Sequence, residues 1–157
     1  LQILKKKIKF NKKINDFFVK KYYQPDIQLN IAKKLLTFAN SSIDISDGLI
    51  SDLEKMLNKQ KYSYEIIENK IPISKHLSEL IKTTNFNKSK LISNGDDYQV
   101  LFTADGNKSR IIARTSKILG IKITKIGKII QGLKKSYIID KKGKKIVLKN
   151  KGYIHQF

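Results

Sequence analysis

The sequence predicts an α/β fold, in the α+β arrangement, in which helices pack on a mixed β-sheet. Apolar residues recur every three or four positions in some segments and every second position in others. The first period is typical of a helix with one buried face, and the second of a half-buried strand. At 157 residues the chain is long enough to bury one core. Because both kinds of segment mingle without a repeat or a long linker, we expect one compact domain.

Two helices are predicted before residue 41. Residues 1–21 combine many lysines with weakly periodic apolar residues, which is typical of a connecting helix with a solvated face. In residues 22–41, Pro25 and Asp26 suit a first helical turn. Apolar residues then recur near the helical period and predict a buried stripe, made of Ile27, Ile31, Leu35 and Phe38.

Strands and helices alternate over the next part of the chain. Residues 41–46 and 62–68 are short β-branched runs and predict strands. Between them, residues 47–60 predict a helix whose buried face carries Leu49, Leu53, Met56 and Leu57. Residues 72–84 open with a proline, which favours a further helix there.

The remaining segments predict more strands and one more helix. Residues 97–104 predict a strand, and residues 107–120 predict a helix that Gly120 closes. Residues 121–130 alternate and predict a strand. Residues 136–148 predict two strands around a Lys-Gly turn.

The composition excludes several classes of protein. The chain has no cysteine, which rules out a disulfide framework and a cysteine-type zinc site and suits a reducing, cytoplasmic compartment. No apolar run approaches the roughly 20 residues of a membrane span, and no signal peptide is visible. The chain opens without an initiating methionine, so we expect it to be a piece of a longer protein.

The charge balance is strongly basic, with 33 Lys and Arg against 13 Asp and Glu and a net charge of +20. A nucleic-acid-binding surface would explain this excess, since basic residues release counterions from a phosphate backbone. Compositional drift explains it too, because lysine accompanies abundant Ile and Asn, as in an AT-rich coding sequence. We favour drift, because neither arginine nor aromatic residues cluster as base-reading residues do. A small polyanionic ligand would also suit the positive field.

The stretch "SIDISDGLISDL", residues 42–53, places Asp44 and Asp47 where a strand meets a helix. Ser46 or Asp47 suits the N-cap of that helix, where a side-chain oxygen accepts a backbone N–H. Capping leaves Asp44 unexplained, because a carboxylate between two isoleucines needs a partner or a cleft. Two such carboxylates also suit Mg²⁺, which takes one or two of them and fills its shell with water and phosphate oxygens. From these residues alone, capping and metal binding remain open alternatives.

A second acidic corner lies in "SNGDDYQVLF", residues 93–102. Asp96 and Asp97 are adjacent and repel each other unless a cation or a hydrogen-bond donor relieves them. A polar turn and a functional site are both compatible with this pattern. Among the other candidates, His76 is expected on the solvated face of a helix, and His155 in an aromatic cluster that pins the chain end. These patterns assign no catalytic residue.

Several of these stretches resemble motifs of the thiamine-monophosphate kinase family. The stretch at 43–53 is similar to the signature in the C-terminal half of that enzyme, and "QPDIQLNIAKKL" is similar to the helix that precedes it. Further similar stretches follow over residues 22–157. They are "IPIS" at 71–74, "NGDDYQV" at 94–100, which resembles a Gly-Gly-Glu-Asp-Tyr block, "TKIGKI" at 124–129 and the ending "KGYIHQF".

The resemblance implies a C-terminal kinase domain over residues 22–157, with the fold of the aminoimidazole ribonucleotide synthetase C-terminal domain. Residues 1–21 would be the connecting helix or linker from a missing N-terminal domain. The implied reaction transfers the γ-phosphoryl group of ATP to thiamine monophosphate and gives thiamine diphosphate. It requires Mg²⁺, because carboxylates cannot hold phosphates directly. The family also implies a cytoplasmic enzyme of thiamine biosynthesis that is a homodimer at full length.

The resemblance also implies roles for individual residues. Asp44 and Asp47 would be Mg²⁺ ligands, and Ser46 would contact ATP. Asp96 takes the place of the family's glutamate that contacts the thiamine substrate, and Tyr153 that of an aromatic residue near the thiamine. Asp96 is one methylene shorter than glutamate, and Gln156 is inserted in the ending, so both substrate contacts depart from the family pattern.

Because the missing half supplies further Mg²⁺ acids, nucleotide contacts and the dimer contact in that family, we expect this chain alone to have little or no kinase activity. Three alternatives remain open. The chain could belong to another ATP-dependent kinase or synthetase of the same superfamily, be a basic nucleic-acid-binding module, or be a degenerate, non-catalytic remnant.

Overall fold

The computed structural model describes residues 10–57, 60–83, 88–95, 97–132, 135–147 and 152. The helices in this part of the chain are α1 (Lys12–Tyr23), α2 (Leu29–Leu35), α3 (Leu49–Leu57), α4 (Lys75–Thr83), α5 (Lys88–Leu91) and α6 (Ser109–Leu119). The strands are β1 (Ser41–Asp44), β2 (Tyr62–Ile67), β3 (Val100–Thr103), β4 (Gly127–Gln131), β5 (Tyr137–Ile139) and β6 (Lys145–Ile146). Two short 3₁₀ helices cover Glu68–Lys70 and Gly106–Lys108.

The strands form two sheets. Strands β1 and β3 make an antiparallel pair in which Ser41 lies opposite Thr103 and Asp44 lies opposite Val100. The second sheet has the order β4-β2-β5-β6, and β2 runs antiparallel to β4 but parallel to β5. Both directions of pairing occur within it, which confirms the predicted mixed sheet. Strands β5 and β6 are antiparallel around a turn at 140–144, as their sequence predicts.

The antiparallel pair lies between two hydrophobic clusters. Side chains of β3 alternate between them, because successive residues of a strand point to opposite faces. Leu101 packs with α3 and the four-stranded sheet, whereas Val100 and Phe102 pack with the cluster around α2 and α6. Buried residues of the larger cluster are Ile45, Leu49, Ile50, Leu53, Tyr64, Ile66, Ile71, Ile92, Leu101 and Ile138. Those of the smaller cluster are Ile31, Leu35 and Phe38.

The helix predicted over residues 22–41 is wrong in its first half. Helix α1 runs on to Tyr23, and α2 begins only at Leu29. Pro25 disfavours the helical conformation of the residue before it, which separates the two helices. Ile27 belongs to this link and is 70% exposed, so it is not part of the buried stripe that Ile31, Leu35 and Phe38 do form.

Two further predictions differ from the structure. Strand β4 begins at Gly127, six residues later than predicted, because Ile121 and Ile123 pack against the smaller cluster.

His76 is not on a solvated face but is partly buried, and its ring stacks on Phe17 of α1 with centroids 4.1 Å apart. This contact joins α1 to α4.

Among the helices that the structure describes, none has the length and apolar character needed to cross a bilayer.

Candidate functional site

The loop that joins β1 to α3 is fixed on one side by the segment that precedes β3. The N–H of Ile45 donates to the carbonyl of Gln99 at 2.9 Å, and the N–H of Tyr98 donates to the carbonyl of Ile45 at 2.9 Å. The N–H of Leu49, the first residue of α3, donates to the carbonyl of Ile92 at 3.0 Å. Backbone hydrogen bonds therefore join residues 45–49 to the segment that carries the second acidic corner.

Glycines let the two segments approach at backbone contact. Gly48 has φ 122°, in the region that favours glycine, and a Cβ there would lie 2.8 Å from the carbonyl oxygen of Ser93. A Cβ on Gly95 would collide with the carbonyl oxygen of Ser46. Any larger residue at Gly48 or Gly95 would push the loop and the acidic corner apart.

A third segment reaches the same loop from the end of the chain. A Cβ on Gly152 would lie 2.6 Å from the carbonyl oxygen of Asp47 and would collide with the side chain of Ser51. Residues 45–51, residues 92–95 with 97–99, and Gly152 therefore converge, although they are far apart in sequence. They correspond to three of the family-like stretches in the sequence.

The loop is held from inside by Asp52, a residue that the sequence analysis did not select. Asp52 lies in α3 and is 0% exposed. One of its carboxylate oxygens, Oδ2, accepts the backbone N–H groups of Ser46 and Asp47 at 2.9 Å each and that of Gly48 at 3.1 Å. Three successive donors of the loop are thus used within the chain and are not available to an anion.

Lys55 connects this buried carboxylate to Asp47. Its ammonium group donates to Asp52 Oδ1 at 2.8 Å and also contacts Asp47 Oδ2. Hydrogen bonds to Asp47 and then to Asp52 hold the pKa of Lys55 above its usual value, against the opposing effect of burial. The Lys55 side chain is 48% exposed, so solvent reaches the ammonium that neutralises Asp47.

The predicted site residues are placed as follows where the structure describes them. Asp44 is exposed at the end of β1. Ser46 is partly buried in the loop, and the Asp47 side chain is 13% exposed. Asp96 and Tyr153 lie outside the described residues. Their chain neighbours Gly95 and Gly152 both contact the loop that carries Ser46 and Asp47.

The N-cap interpretation of Ser46 and Asp47 is wrong in position. Helix α3 begins at Leu49, so Gly48 occupies the position before its first residue. The donors of the preceding loop are satisfied instead by Asp52, from within the helix. A signal for Asp52 is present in the sequence, because an acid at this position falls on the apolar face between Leu49 and Leu53.

The donor set of the loop suits a divalent cation that brings other ligands with it. Asp44 and Asp47 supply two carboxylates, and Mg²⁺ takes one or two together with water and phosphate oxygens. The ammonium of Lys55 pairs with the Asp47 carboxylate. Over the described ranges, no three His, Asp or Glu side chains come together as a metal-binding group. The two aspartates therefore fit part of a coordination shell and not a complete protein cage.

Comparison with known proteins relates this arrangement to one family. No protein-family model matches the chain. A thiamine-monophosphate kinase of Buchnera aphidicola from Schizaphis graminum is 36% identical over 156 residues, which are 99% of this chain and 48% of that protein. The chain is homologous to thiamine-monophosphate kinases. The enzymes of Escherichia coli K12 and Bacillus subtilis are 32% and 26% identical, and each alignment covers 89% of this chain and 42% of the relative.

Solved structures of thiamine-monophosphate kinases share the fold. The structure of AaThiL complexed with AMPPCP and TMP has a TM-score of 0.74 at 23% identity and covers 98% of this chain and 46% of that one. A crystal structure of the Aquifex aeolicus kinase has a TM-score of 0.69 at 24% identity, over 92% and 46% of the two chains. The fold is thus the aminoimidazole ribonucleotide synthetase-like fold of these kinases. The chain spans about half the length of the curated relatives it matches.

Proposed function

We propose that this chain is the C-terminal domain of a thiamine-monophosphate kinase. The enzyme would transfer the γ-phosphoryl group of ATP to thiamine monophosphate, with Mg²⁺, and release thiamine diphosphate and ADP. The observation that carries the proposal is the convergence of residues 45–51, residues 92–95 with 97–99, and Gly152, three stretches that resemble the family, in a chain homologous to these kinases. The ligands AMPPCP and TMP of a structure with the same fold support both substrates.

The proposed roles of the residues follow their chemistry. Asp44 and Asp47 would hold Mg²⁺, and Ser46 between them would contact ATP. Asp96 and Tyr153 would contact thiamine monophosphate. Support for these roles comes from their chain neighbours, because Gly95 and Gly152 both contact the loop that carries Ser46 and Asp47.

The residues of the chain would act mainly by position and charge. Bound Mg²⁺ would neutralise phosphate charge and let anionic carboxylates hold an anionic nucleotide. Asp47 is ready for this role because its backbone and its carboxylate are both anchored. Fixed ligands would lower the entropic cost of bringing the two phosphates together, and positioning of this kind is a main part of catalysis in phosphoryl transfer.

The remaining features of the enzyme would come from the rest of the protein. Since the relatives are about twice as long as this chain, we propose that an N-terminal domain completes the site, with residues 1–21 as the connection. A homodimer of the full-length protein and a cytoplasmic location complete the proposal.

A chimeric enzyme tests the function. This chain would replace the matching half of the Aquifex aeolicus kinase, and formation of thiamine diphosphate from ATP, Mg²⁺ and thiamine monophosphate would be measured. We expect turnover that is lost in the Asp47→Asn variant and retained in the Asp105→Asn variant, which changes an acid of another loop. A well-folded chimera that phosphorylates only other phosphorylated acceptors would favour another kinase of the superfamily. Absence of any ATP consumption would refute the proposal.

A further inference from the structure

We propose that Asp52 is a positioning residue that fixes both the backbone and the side chain of Asp47. The inference rests on the proposed function only for the role that it gives to Asp47. Asp52 is 0% exposed, so it acts through its neighbours and not by touching a ligand. It lies in the first turn of α3, directly after the loop that it holds.

The two oxygens of Asp52 act on the same neighbour by different routes. Oδ2 accepts the N–H of Asp47 together with those of Ser46 and Gly48. Oδ1 accepts from the ammonium of Lys55, which also contacts the Asp47 carboxylate. One oxygen therefore fixes where the backbone of Asp47 lies, and the other holds the ammonium that pairs with its carboxylate.

The donors to Asp52 come from a narrower part of the chain than a buried carboxylate requires. A buried carboxylate needs hydrogen-bond donors and a counterion, and any nearby donors would serve. Among the described residues, the hydrogen-bond donors to Asp52 are the N–H groups of the 46–48 loop and the lysine that contacts this loop. Hydrogen bonds to an ionised group are stronger than neutral ones, so the loop should be among the more rigid connections of the chain.

Amide hydrogen exchange of the purified chain measures this rigidity. In Asp52→Ala we expect the amides of Ser46, Asp47 and Gly48 to exchange about tenfold or more faster than in the unmodified chain. Asp52→Asn keeps one oxygen acceptor. The exchange rates of the 46–48 amides in this variant should therefore fall between those of the unmodified chain and those of Asp52→Ala. The amides of β2 serve as an internal reference, because their exchange reports unfolding of the whole sheet.

Asp140 offers a matched control. One oxygen of its carboxylate accepts the N–H groups of Lys142 and Lys144 at 2.8 Å each, in the turn between β5 and β6. Asp140→Ala therefore removes the same kind of interaction elsewhere in the chain. It should speed exchange at residues 142 and 144 and leave that of the 46–48 loop unchanged.

Binding of Mn²⁺ to the same variants gives a second readout. We expect Asp52→Ala to weaken Mn²⁺ binding about tenfold or more, Asp52→Asn to weaken it less, and Asp140→Ala to leave it unchanged. The inference is overturned if the 46–48 amides stay as protected in Asp52→Ala as before, or loosen only together with those of β2. It is also overturned if the unmodified chain binds Mn²⁺ and Asp52→Ala binds it just as tightly.

The exchange result separates this inference from the proposed function. An unmodified chain that binds neither Mn²⁺ nor ATP would count against the proposed function. Local loosening of the 46–48 loop in Asp52→Ala would still establish that Asp52 positions Asp47 in that case.

Discussion

At the scale of single residues, the contact between Gly95 and Ser46 sets the distance between the two acidic corners. A Cβ on Gly95 would collide with a backbone oxygen, which cannot rotate away as a flexible side chain can. We expect Gly95→Ala to lower the free energy of unfolding by about 1–3 kcal/mol, as overpacking does. Thermal denaturation measures this effect.

Gly106→Ala is the control for this prediction. A Cβ on Gly106 would have no neighbouring atom within 4 Å, so its effect should stay within about 0.5 kcal/mol. Equal melting temperatures of the two variants would contradict the close approach of Gly95 to Ser46.

The Lys55 ammonium occupies the position beside Asp47 that a bound cation would take. A cation at Asp47 has to compete with it, so Lys55→Met should bind Mn²⁺ more tightly. The gain should be near fivefold, because one unit charge at close range in a water-like medium contributes about 1 kcal/mol. Isothermal titration calorimetry measures the affinity.

Lys128→Met is the matched variant, since Lys128 is 58% exposed and pairs with Glu65 at 3.4 Å, away from the loop. It should bind Mn²⁺ as the unmodified chain does. Weaker binding by Lys55→Met would mean that Lys55 assists the cation and does not compete with it.

The sequence singles out Asp44 and Asp47, which stay proposed metal residues, but not Asp52, the residue that holds the loop. Asp44 and Asp47 stand out because acids are scarce in this chain and because their spacing suits a strand end. Asp52 is equally acidic, but its role depends on backbone N–H groups brought to it by the fold. A residue pattern shows which groups a side chain offers, and it does not show which backbone donors will reach it.

At the scale of secondary-structure elements, Lys88 anchors the segment that leads to the acidic corner. Its ammonium donates to the carbonyl oxygens of Glu68 and Ile71 at 2.8 Å each. Burial lowers the pKa of Lys88, while the charge of Glu68 acts in the opposite direction. Lys88→Met would leave two carbonyl groups without this donor and should destabilise the chain by about 1–3 kcal/mol.

Urea denaturation measures the effect of Lys88→Met. Lys82→Met is the comparison, because Lys82 is an exposed lysine in the last turn of α4. It should change the free energy of unfolding by no more than about 0.5 kcal/mol. A Lys88→Met chain as stable as Lys82→Met would show that the two hydrogen bonds contribute little.

The contact between β2 and β5 predicts a dependence of stability on pH. The Tyr137 hydroxyl donates to Glu65 at 2.6 Å and, with Lys128, lowers the pKa of Glu65 below its usual value near 4.5. Glu65 therefore adds stability above the pKa of the unfolded chain. This contribution is lost as the pH falls through the lower pKa of the folded chain.

Unfolding free energies between about pH 3 and pH 7 test this prediction. The difference between the unmodified chain and Glu65→Gln should shrink toward acid pH. Glu79→Gln, at an exposed position of α4, serves as the control. Its unfolding free energy should change with pH as that of the unmodified chain does. A constant difference for Glu65→Gln across this range would rule out the contribution of Glu65.

Helices and strands are predicted correctly from the sequence where one face of the helix or strand packs against a single hydrophobic cluster. Helices α3 and α6 and strand β2 follow their hydrophobic period closely. The same rule is wrong for residues 22–41 and 121–130. Pro25 breaks the first segment, and the isoleucines at 121 and 123 pack against the smaller cluster without pairing in the sheet. Both errors come from tertiary contacts and chain breaks that periodicity does not include.

At the scale of the whole molecule, the chain should bind its ligands weakly and turn over little by itself. The proposed metal residues supply only part of a coordination shell in the described residues, and relatives are about twice as long. We expect the purified chain to form no thiamine diphosphate above background from ATP, Mg²⁺ and thiamine monophosphate. Coupled detection of ADP measures turnover, with the chimera as the positive control. A normal rate from the chain alone would contradict the need for a second domain.

The fold of the whole molecule could be predicted from its sequence to a large extent. The mixed sheet, the order of most elements and the kinase family follow from period and motif. The division of the strands into two sheets could not be predicted, because pairing partners depend on which crossovers the chain makes. The parallel pairing of β2 with β5, which lie some seventy residues apart, is such a case.

The burial of Asp52 has a consequence for the chemical form of nucleotide that the proposed kinase would accept. Residues 44–57 carry four acids and one lysine on a chain whose net charge is +20. The loop's N–H groups are directed inward to Asp52 and are not available to an anion, while the Asp44 carboxylate is exposed beside them. In the proposed kinase, a free polyphosphate would therefore be less favoured here than one that a divalent cation has already neutralised. The loop would thus select metal-complexed nucleotide over the uncomplexed anion.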